Sequence, residues 1–289
     1  MRKFLHVMCI TGGGENLEER PARYASLYIG LLFLTFIDFF ALNLLVPPAD
    51  GTDLTARLRT LMEIYAMGIA MVLILKNHLP KGKWIVLSAI LAMIVFSAQR
   101  ELSSAAGVAA LEVLLCSLVS FRVFEKYPRR AVKVIHGTKL RSCAGTLLCG
   151  LLAGGLLGVL SLLMSGEHTL EFRFEQAILL EALGHTILEE VCFRLILAAA
   201  CIELLGGKIR TRAESIWYLV MLTAPHTLMH APDILASYGP VLGTMNAILL
   251  VLIFGLPFAL LHRERDLLSA MTAHMVLAVI HYSFFGMPV

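Results

Sequence analysis

Long apolar runs alternate along this chain with short polar connections, many of them basic. The runs cover roughly residues 25–46, 58–75, 84–98, 102–121, 143–164, 174–204, 214–230, 240–261 and 266–285. Most approach the ~20 apolar residues that a helix needs to cross a hydrocarbon core. They are continuously apolar rather than alternating every second residue, which argues against a bacterial-type transmembrane barrel. The pattern predicts an all-α, polytopic transmembrane helix bundle of about eight or nine spans. The third run is short, which suits a tilted or re-entrant segment or one merged with the fourth. The sixth is long enough to tilt or to extend past the bilayer.

Composition agrees: 58% of the 289 residues are hydrophobic and 16% are charged, and mean hydropathy is +0.80. Soluble domains carry about 25% charged residues. The net charge of +3 matters less than its distribution. Lys76, Lys81 and Lys83 follow the second run, and Arg122, Lys126, Arg129, Arg130, Lys133, Lys139 and Arg141 follow the fourth. Lys208, Arg210 and Arg212 follow the sixth, and Arg263 and Arg265 follow the eighth. With nine spans these connections share one side, which lysine and arginine mark as cytoplasmic. The connections at 165–169 and 231–240 fall on the other side. The expected protein is a multi-pass protein of the bacterial plasma membrane with its N-terminus inside and its C-terminus outside. The basic stretch 122–141 separates a four-span region (25–142, after a polar cytoplasmic segment 1–24) from a five-span region (143–289). The six cysteines are scattered with no C-x-x-C pair; inside apolar runs they act as small hydrophobes. Neither a disulfide framework nor a structural zinc site is expected.

Ionisable groups inside a span cost about 2.5–3.5 kcal/mol on insertion scales and are functional candidates by default. Asp38, Glu63 and Glu112 in the first half read as isolated acids, satisfied across helices and without a chemical role. The second half concentrates such groups. Glu181, His185 and Glu189 recur every fourth residue and form one helical stripe. Glu190 and Arg194 form a second pair about 100° round the same helix, an arginine neutralising a buried carboxylate. Glu189 has no such cation in its own helix unless His185 is charged, and a lone carboxylate in a dry site suits general acid or base work. His226 and His230 share a face of the seventh span; His274, Ala278 and His281 share a side of the ninth. Groups of this kind on three spans satisfy one another, or water, only if they meet in one cavity.

These residues carry a family resemblance. Glu189-Glu190-Val191-Cys192-Phe193-Arg194 resembles the E-E-x-x-x-R motif of the CAAX prenyl endopeptidase and bacteriocin-processing (CPBP, or Abi) family of intramembrane glutamic proteases. His230-Ala231-Pro232-Asp233 is similar to the end of that family's F-x-x-x-H motif. The stretch from Gly255 to His274 resembles the lead-in to its H-x-x-x-N motif. The motifs stand in family order over roughly residues 175–285, and the first four spans take no part. The resemblance implies an endopeptidase in which Glu189 is the general base and His230 holds and polarises the water. It implies that His274 stabilises the oxyanion, a role of about 2.7–4 kcal/mol per donor in other hydrolases. Glu190 and Arg194 then shape the site, with His226, His185 and His281 around it. A peptide or membrane-associated protein substrate and the lipid bilayer are the implied partners, with no cofactor, metal or nucleic acid. The chain departs from the pattern in three places. His226 stands at the motif phenylalanine, or else is itself the motif histidine with Leu222 at the phenylalanine position. Ala278 replaces the motif asparagine and removes an oxyanion donor, for which His281 is a substitute one turn on. Leu195 stands where glycine commonly follows the arginine.

Three other readings use the same residues. In a zinc metalloprotease, His226, His230, His274 and Glu189 supply imidazole and carboxylate ligands, although no H-E-x-x-H occurs. In a non-catalytic scaffold or immunity protein the cavity captures a peptide, which the loss of asparagine at Ala278 favours. A proton-coupled transporter also needs buried glutamate and histidine, but no internal repeat is visible.

Overall fold

The computed structural model describes residues 22–46, 53–128, 132–135, 140–165 and 171–287. Most of the N-terminal segment, Arg129, Arg130 and Lys139 of the basic stretch, and residues 166–169 of one predicted outer connection lie outside the described residues.

The fold is an all-α helical bundle. Its helices are α1 (Ala22–Leu45), α2 (Leu54–Lys76), α3 (Gly82–Gln99), α4 (Ala106–Lys126), α5 (Leu140–Met164), α6 (176–204), α7 (Arg212–Leu228), α8 (Pro232–Arg265) and α9 (Leu267–Phe285). No strand occurs among the described residues. Seven of these helices, all but α6 and α7, are long and apolar enough to cross a membrane. The chain is therefore a multi-pass integral membrane protein. Helix α6 carries Glu181, Glu189, Glu190, Arg194 and Glu203 along its length, and α7 has only 17 residues. The charges of α6 from Glu189 to Glu203 are buried by the surrounding helices rather than facing lipid, which is why they are tolerated there.

Helix α6 is the axis of the bundle. Every residue from Gly184 to Glu203 is buried, on all sides of the helix. It packs against α1, α2, α3, α4, α7 and α9. One core runs through both halves of the chain, from Ile29 and Phe36 through Met62 and Phe121 to Phe193, Leu222 and Met271. The outer faces of α5 and α8, including Leu152, Leu156 and Leu163, and Val241, Met245 and Leu252, are exposed apolar surfaces suited to lipid.

Helices α5 and α9 approach through small residues. A Cβ added at Gly150 would lie 2.5 Å from Thr272, one at Gly154 2.3 Å from the Ala273 carbonyl, and one at Gly158 2.4 Å from Ile280. Membrane helices associate by such close backbone packing because lipid supplies no hydrophobic drive between them. The start of α9 is fixed by Asp266, which accepts from the Ser269 amide at 2.7 Å and from Thr146 Oγ1 at 2.8 Å. The phase of His274, two turns on, follows from both constraints.

The third run forms a helix of its own, α3, in keeping with its span in the sequence. One boundary differs from the sequence reading. The stretch 231–240, expected as a connection, is already helical from Pro232, because proline at the first helical position loses no needed donor. A break follows at Gly239 (φ 73°), and Pro240 restarts the helix. A positive φ of this kind falls to glycine, which has no Cβ to clash.

The basic connections meet at one end of the bundle. Lys76 and Lys126 both bind Glu203, at 3.0 and 2.8 Å, and the Lys81 amide donates to Glu125 at 3.0 Å. The Leu267 amide donates to the Lys133 carbonyl at 2.8 Å, and Arg265 donates to the Gly145 carbonyl at 2.7 Å. At the opposite end the Arg173 amide donates to the Ser283 carbonyl at 2.7 Å. There, too, Asp233 accepts from the Leu54 and Thr55 amides at 3.3 and 3.0 Å.

Candidate active site

Helical periodicity places Glu189 and Glu190 on adjacent faces of α6, and the two carboxylates have different surroundings. Glu190 is wholly buried and forms an ion pair with Arg194, one turn on. Its Oε1 also accepts from His274 Nδ1 at 3.0 Å. Arg194 uses its other donors on the Leu222 carbonyl (3.1 Å) and on His226 Nδ1 (2.9 Å), and it lies over the Phe258 ring. A π-helical turn spans Glu190–Leu195; such turns concentrate at functional sites.

Glu189 faces a cavity of about 340 Å³. Its Oε1 lies 2.6 Å from His185 Nε2 and 3.2 Å from Arg59 Nη2. Its Oε2 lies 3.2 Å from His226 Nε2, 3.5 Å from His274 Nε2 and 3.7 Å from His230 Nε2. The last two separations are longer than good hydrogen bonds, so His274 and His230 flank Oε2 without holding it. His281 lines the same cavity and contacts Ser161 at 3.3 Å; Ala278 lines it without a polar atom. Leu250, Phe254, Phe258 and Leu277 form its apolar wall. Gly255 lets α8 cross α7 closely there, since a Cβ would sit 2.1 Å from Thr227 Oγ1.

The donor set fixes the tautomers. A guanidinium only donates, so His226 Nδ1 accepts from Arg194 and its proton sits on Nε2, donated to Glu189. The Glu190 carboxylate only accepts, so His274 carries its proton on Nδ1. Its Nε2 then donates only when the ring holds both protons.

Among the described residues, two groups of ligand atoms are close enough for a metal ion: Glu189, His226 and His230, and Glu190, His226 and His274. Both depend on His226. Its one lone pair is engaged by Arg194, and a metal-bound imidazole needs that lone pair for the ion and a proton on the far nitrogen. The donor chemistry is therefore poor for a metal at either group.

No family model, curated protein or solved structure matches this chain.

The structure brings Glu189, Glu190, His185, His226, His230, His274 and Arg194 together in one cluster, and places His281 on the same cavity. His226, in α7, is nearer than His230 just beyond that helix and is buried, whereas the His230 side chain is 36% exposed. One expectation is corrected: Glu189 has no arginine in its own helix, but it is not a lone carboxylate, because Arg59 of α2 supplies a cation. Arg59 also lies against the His185 ring, 3.1 Å from Nε2 and 3.4 Å from Nδ1. The same residue corrects the reading of Glu63 as isolated, since Arg59 precedes it by one turn on α2. An arginine inside the second apolar run was the available signal. Asp233, in the His230–Asp233 run, caps the start of α2 together with Asp53, and so helps to hold Arg59 at the site. His262 is also buried near this region, and neither of its ring nitrogens has a hydrogen-bond partner among the described residues.

Proposed function

We propose that the protein is an intramembrane endopeptidase of the CPBP type, hydrolysing a peptide bond with a water activated by Glu189. The observation that supports this most is the division of labour on Glu189: Oε1 is held by His185 and Arg59, while Oε2 lies on the cavity side beside His230 and His274. In this reading Oε2 takes a proton from the water as its oxygen attacks the carbonyl carbon. His230 orients that water. His274, held by Glu190 through Nδ1, turns Nε2 toward the developing oxyanion. The C–N bond then breaks and the proton held by Glu189 passes to the departing amine. The surrounding apolar wall excludes bulk water, which strengthens each of these interactions. The membrane is a bacterial plasma membrane, with the basic end of the bundle and the N-terminus in the cytoplasm.

The test compares membrane peptidomes from cells expressing wild type or Glu189→Gln at equal abundance, with and without a zinc chelator. New peptide termini that survive the chelator and vanish in Glu189→Gln are expected; removal of a general base costs about 10²–10⁴ in rate. Termini that vanish with the chelator would transfer the reaction to a metal.

A non-catalytic, peptide-binding role is the second reading. It is favoured by Ala278, which gives the cavity no donor at that position, and by the Arg59 ion pair on the would-be base. Identical peptidomes, with a bound peptide co-purifying with both proteins, would establish it.

A further inference from the structure

The bundle has a chemical polarity, and the cavity has a definite place in it. The basic connections converge on one end, tied together through Glu203, Glu125 and Lys133. The cavity belongs to the other end. Its rim is built from Thr55 and Arg59 at the start of α2, Ser161 at the close of α5, His230 just after α7, and His281 and Tyr282 in the last turns of α9. Each of these helices has its opposite terminus at the basic end. Arginines at the cavity end have local partners: Arg100 pairs with Glu101 at 3.1 Å, Arg173 with Glu171 at 2.8 Å, and Arg57 with Asn43 at 2.7 Å. A second cavity of about 380 Å³, lined by Arg59, Glu63, Gln99, Ser103, Glu181 and His185, reaches the same groups from the same end. Arg59 and His185 are walls of both spaces.

Lysine and arginine in short connections keep that end of a membrane protein in the cytoplasm. We infer that the Glu189 cavity opens to the extracytoplasmic side, and that its substrate is an extended, largely apolar peptide segment presented from outside. The inference rests on the endopeptidase reading for the word substrate and on the charge rule for the side. The apolar wall of Leu250, Phe254, Phe258 and Leu277 is the surface for side chains of such a segment, in keeping with pockets lined by apolar groups around a few convergent polar ones. The polar second cavity supplies water from the same face, so the hydrolytic water need not cross the core.

Thiol labelling decides the side without requiring turnover. In a full-length chain whose six native cysteines are replaced by serine or alanine, cysteine is placed singly at Thr55, Ser161, Glu175 and Lys208. A membrane-impermeant maleimide is added to intact bacterial spheroplasts and, separately, to permeabilised ones. Thr55→Cys, Ser161→Cys and Glu175→Cys are expected to label fully in intact spheroplasts. Labelling of Lys208→Cys should be lost unless the membrane is opened. Two cavity positions guard against one variant failing to fold, and labelling at Glu175, on the exposed surface of the same end, reports insertion independently of the cavity. Labelling of Thr55→Cys and Ser161→Cys only after permeabilisation, or not at all while Glu175→Cys labels, would overturn the inference. The same pattern is expected with Glu189→Gln added. An intact labelling pattern without any Glu189-dependent cleavage would therefore remove the endopeptidase reading and leave the sidedness standing.

Discussion

The Arg59–Glu189 contact joins helices that are far apart in sequence, and its strength is measurable. The two charges are 3.2 Å apart, with Glu189 at 1% and Arg59 at 26% side-chain exposure. At an effective dielectric constant of ~20, Coulomb attraction at that separation is about 5 kcal/mol. Exposure of the guanidinium screens part of this. His185 and His226 also continue to donate to Glu189 when Arg59 is removed. The loss should therefore fall below the ~3–5 kcal/mol typical of breaking a wholly buried pair. Replacing Arg59 by methionine, which keeps an unbranched chain of similar reach, should destabilise the protein by about 2–3 kcal/mol.

A double-mutant cycle separates this pair from the packing around it. Unfolding free energies in mixed micelles would be measured for wild type, Arg59→Met, Glu189→Gln and the double variant. Once Glu189 is neutral, removing Arg59 should cost little, so the cycle should return a coupling of about 2 kcal/mol, where independent sites add within about 0.3–0.5. Additive losses would refute the pairing and return Glu189 to the status of a carboxylate without a cation. The sign matters for function as well: a coupled pair means that any substrate must compete with, or work beside, a resident arginine.

Two further outcomes follow from the same geometry. Gly154→Leu should lower stability by at least the 1–3 kcal/mol of ordinary overpacking in thermal unfolding of the purified protein, because its Cβ meets the α9 backbone. Gly155→Leu, with nothing within 4 Å of its Cβ, should leave the transition in place, and equal losses would remove the α5–α9 close-packing argument. Excess zinc should not raise the unfolding temperature, since an ion that bound the folded state would stabilise it by mass action. A saturable rise abolished by His226→Ala would show that Arg194 yields its hydrogen bond to a metal-bound tautomer.

What could be read from the sequence was whatever lies within one helix. The Glu181, His185, Glu189 stripe and the Glu190–Arg194 pair follow from the rise of a single α-helix, and both are present in the structure. The convergence of α7 and α9 on α6 was legible for a different reason: polar groups on three apolar spans have few ways to be satisfied other than by meeting. Arg59 escaped because its partner lies 130 residues away and its own span looked like topology. The start of α8 at Pro232 escaped because the Pro232-Asp233 pair reads equally well as a loop and as a helical first turn. Only the contact of Asp233 with α2 separates the two. The π turn at Glu190 leaves no mark on the hydrophobic pattern, since the residues around it are buried on every side.

The two adjacent glutamates show why the site cannot be reduced to its motif. Successive residues on a helix point about 100° apart, so one carboxylate can be sealed into the core while its neighbour lines a cavity. Glu190 has its ionised oxygen engaged by Arg194 and His274 and no free face on the cavity. Its work is to hold His274 in one tautomer and Arg194 in one place. Arg194 in turn fixes the proton of His226 on the side of Glu189. The chain Glu190–Arg194–His226–Glu189 therefore runs from a structural carboxylate to a reactive one. The orientation of His226 and His274 beside Glu189 thus depends on a residue that has no exposure to the cavity at all. A search confined to cavity-lining side chains would miss the group that sets the tautomers of these two.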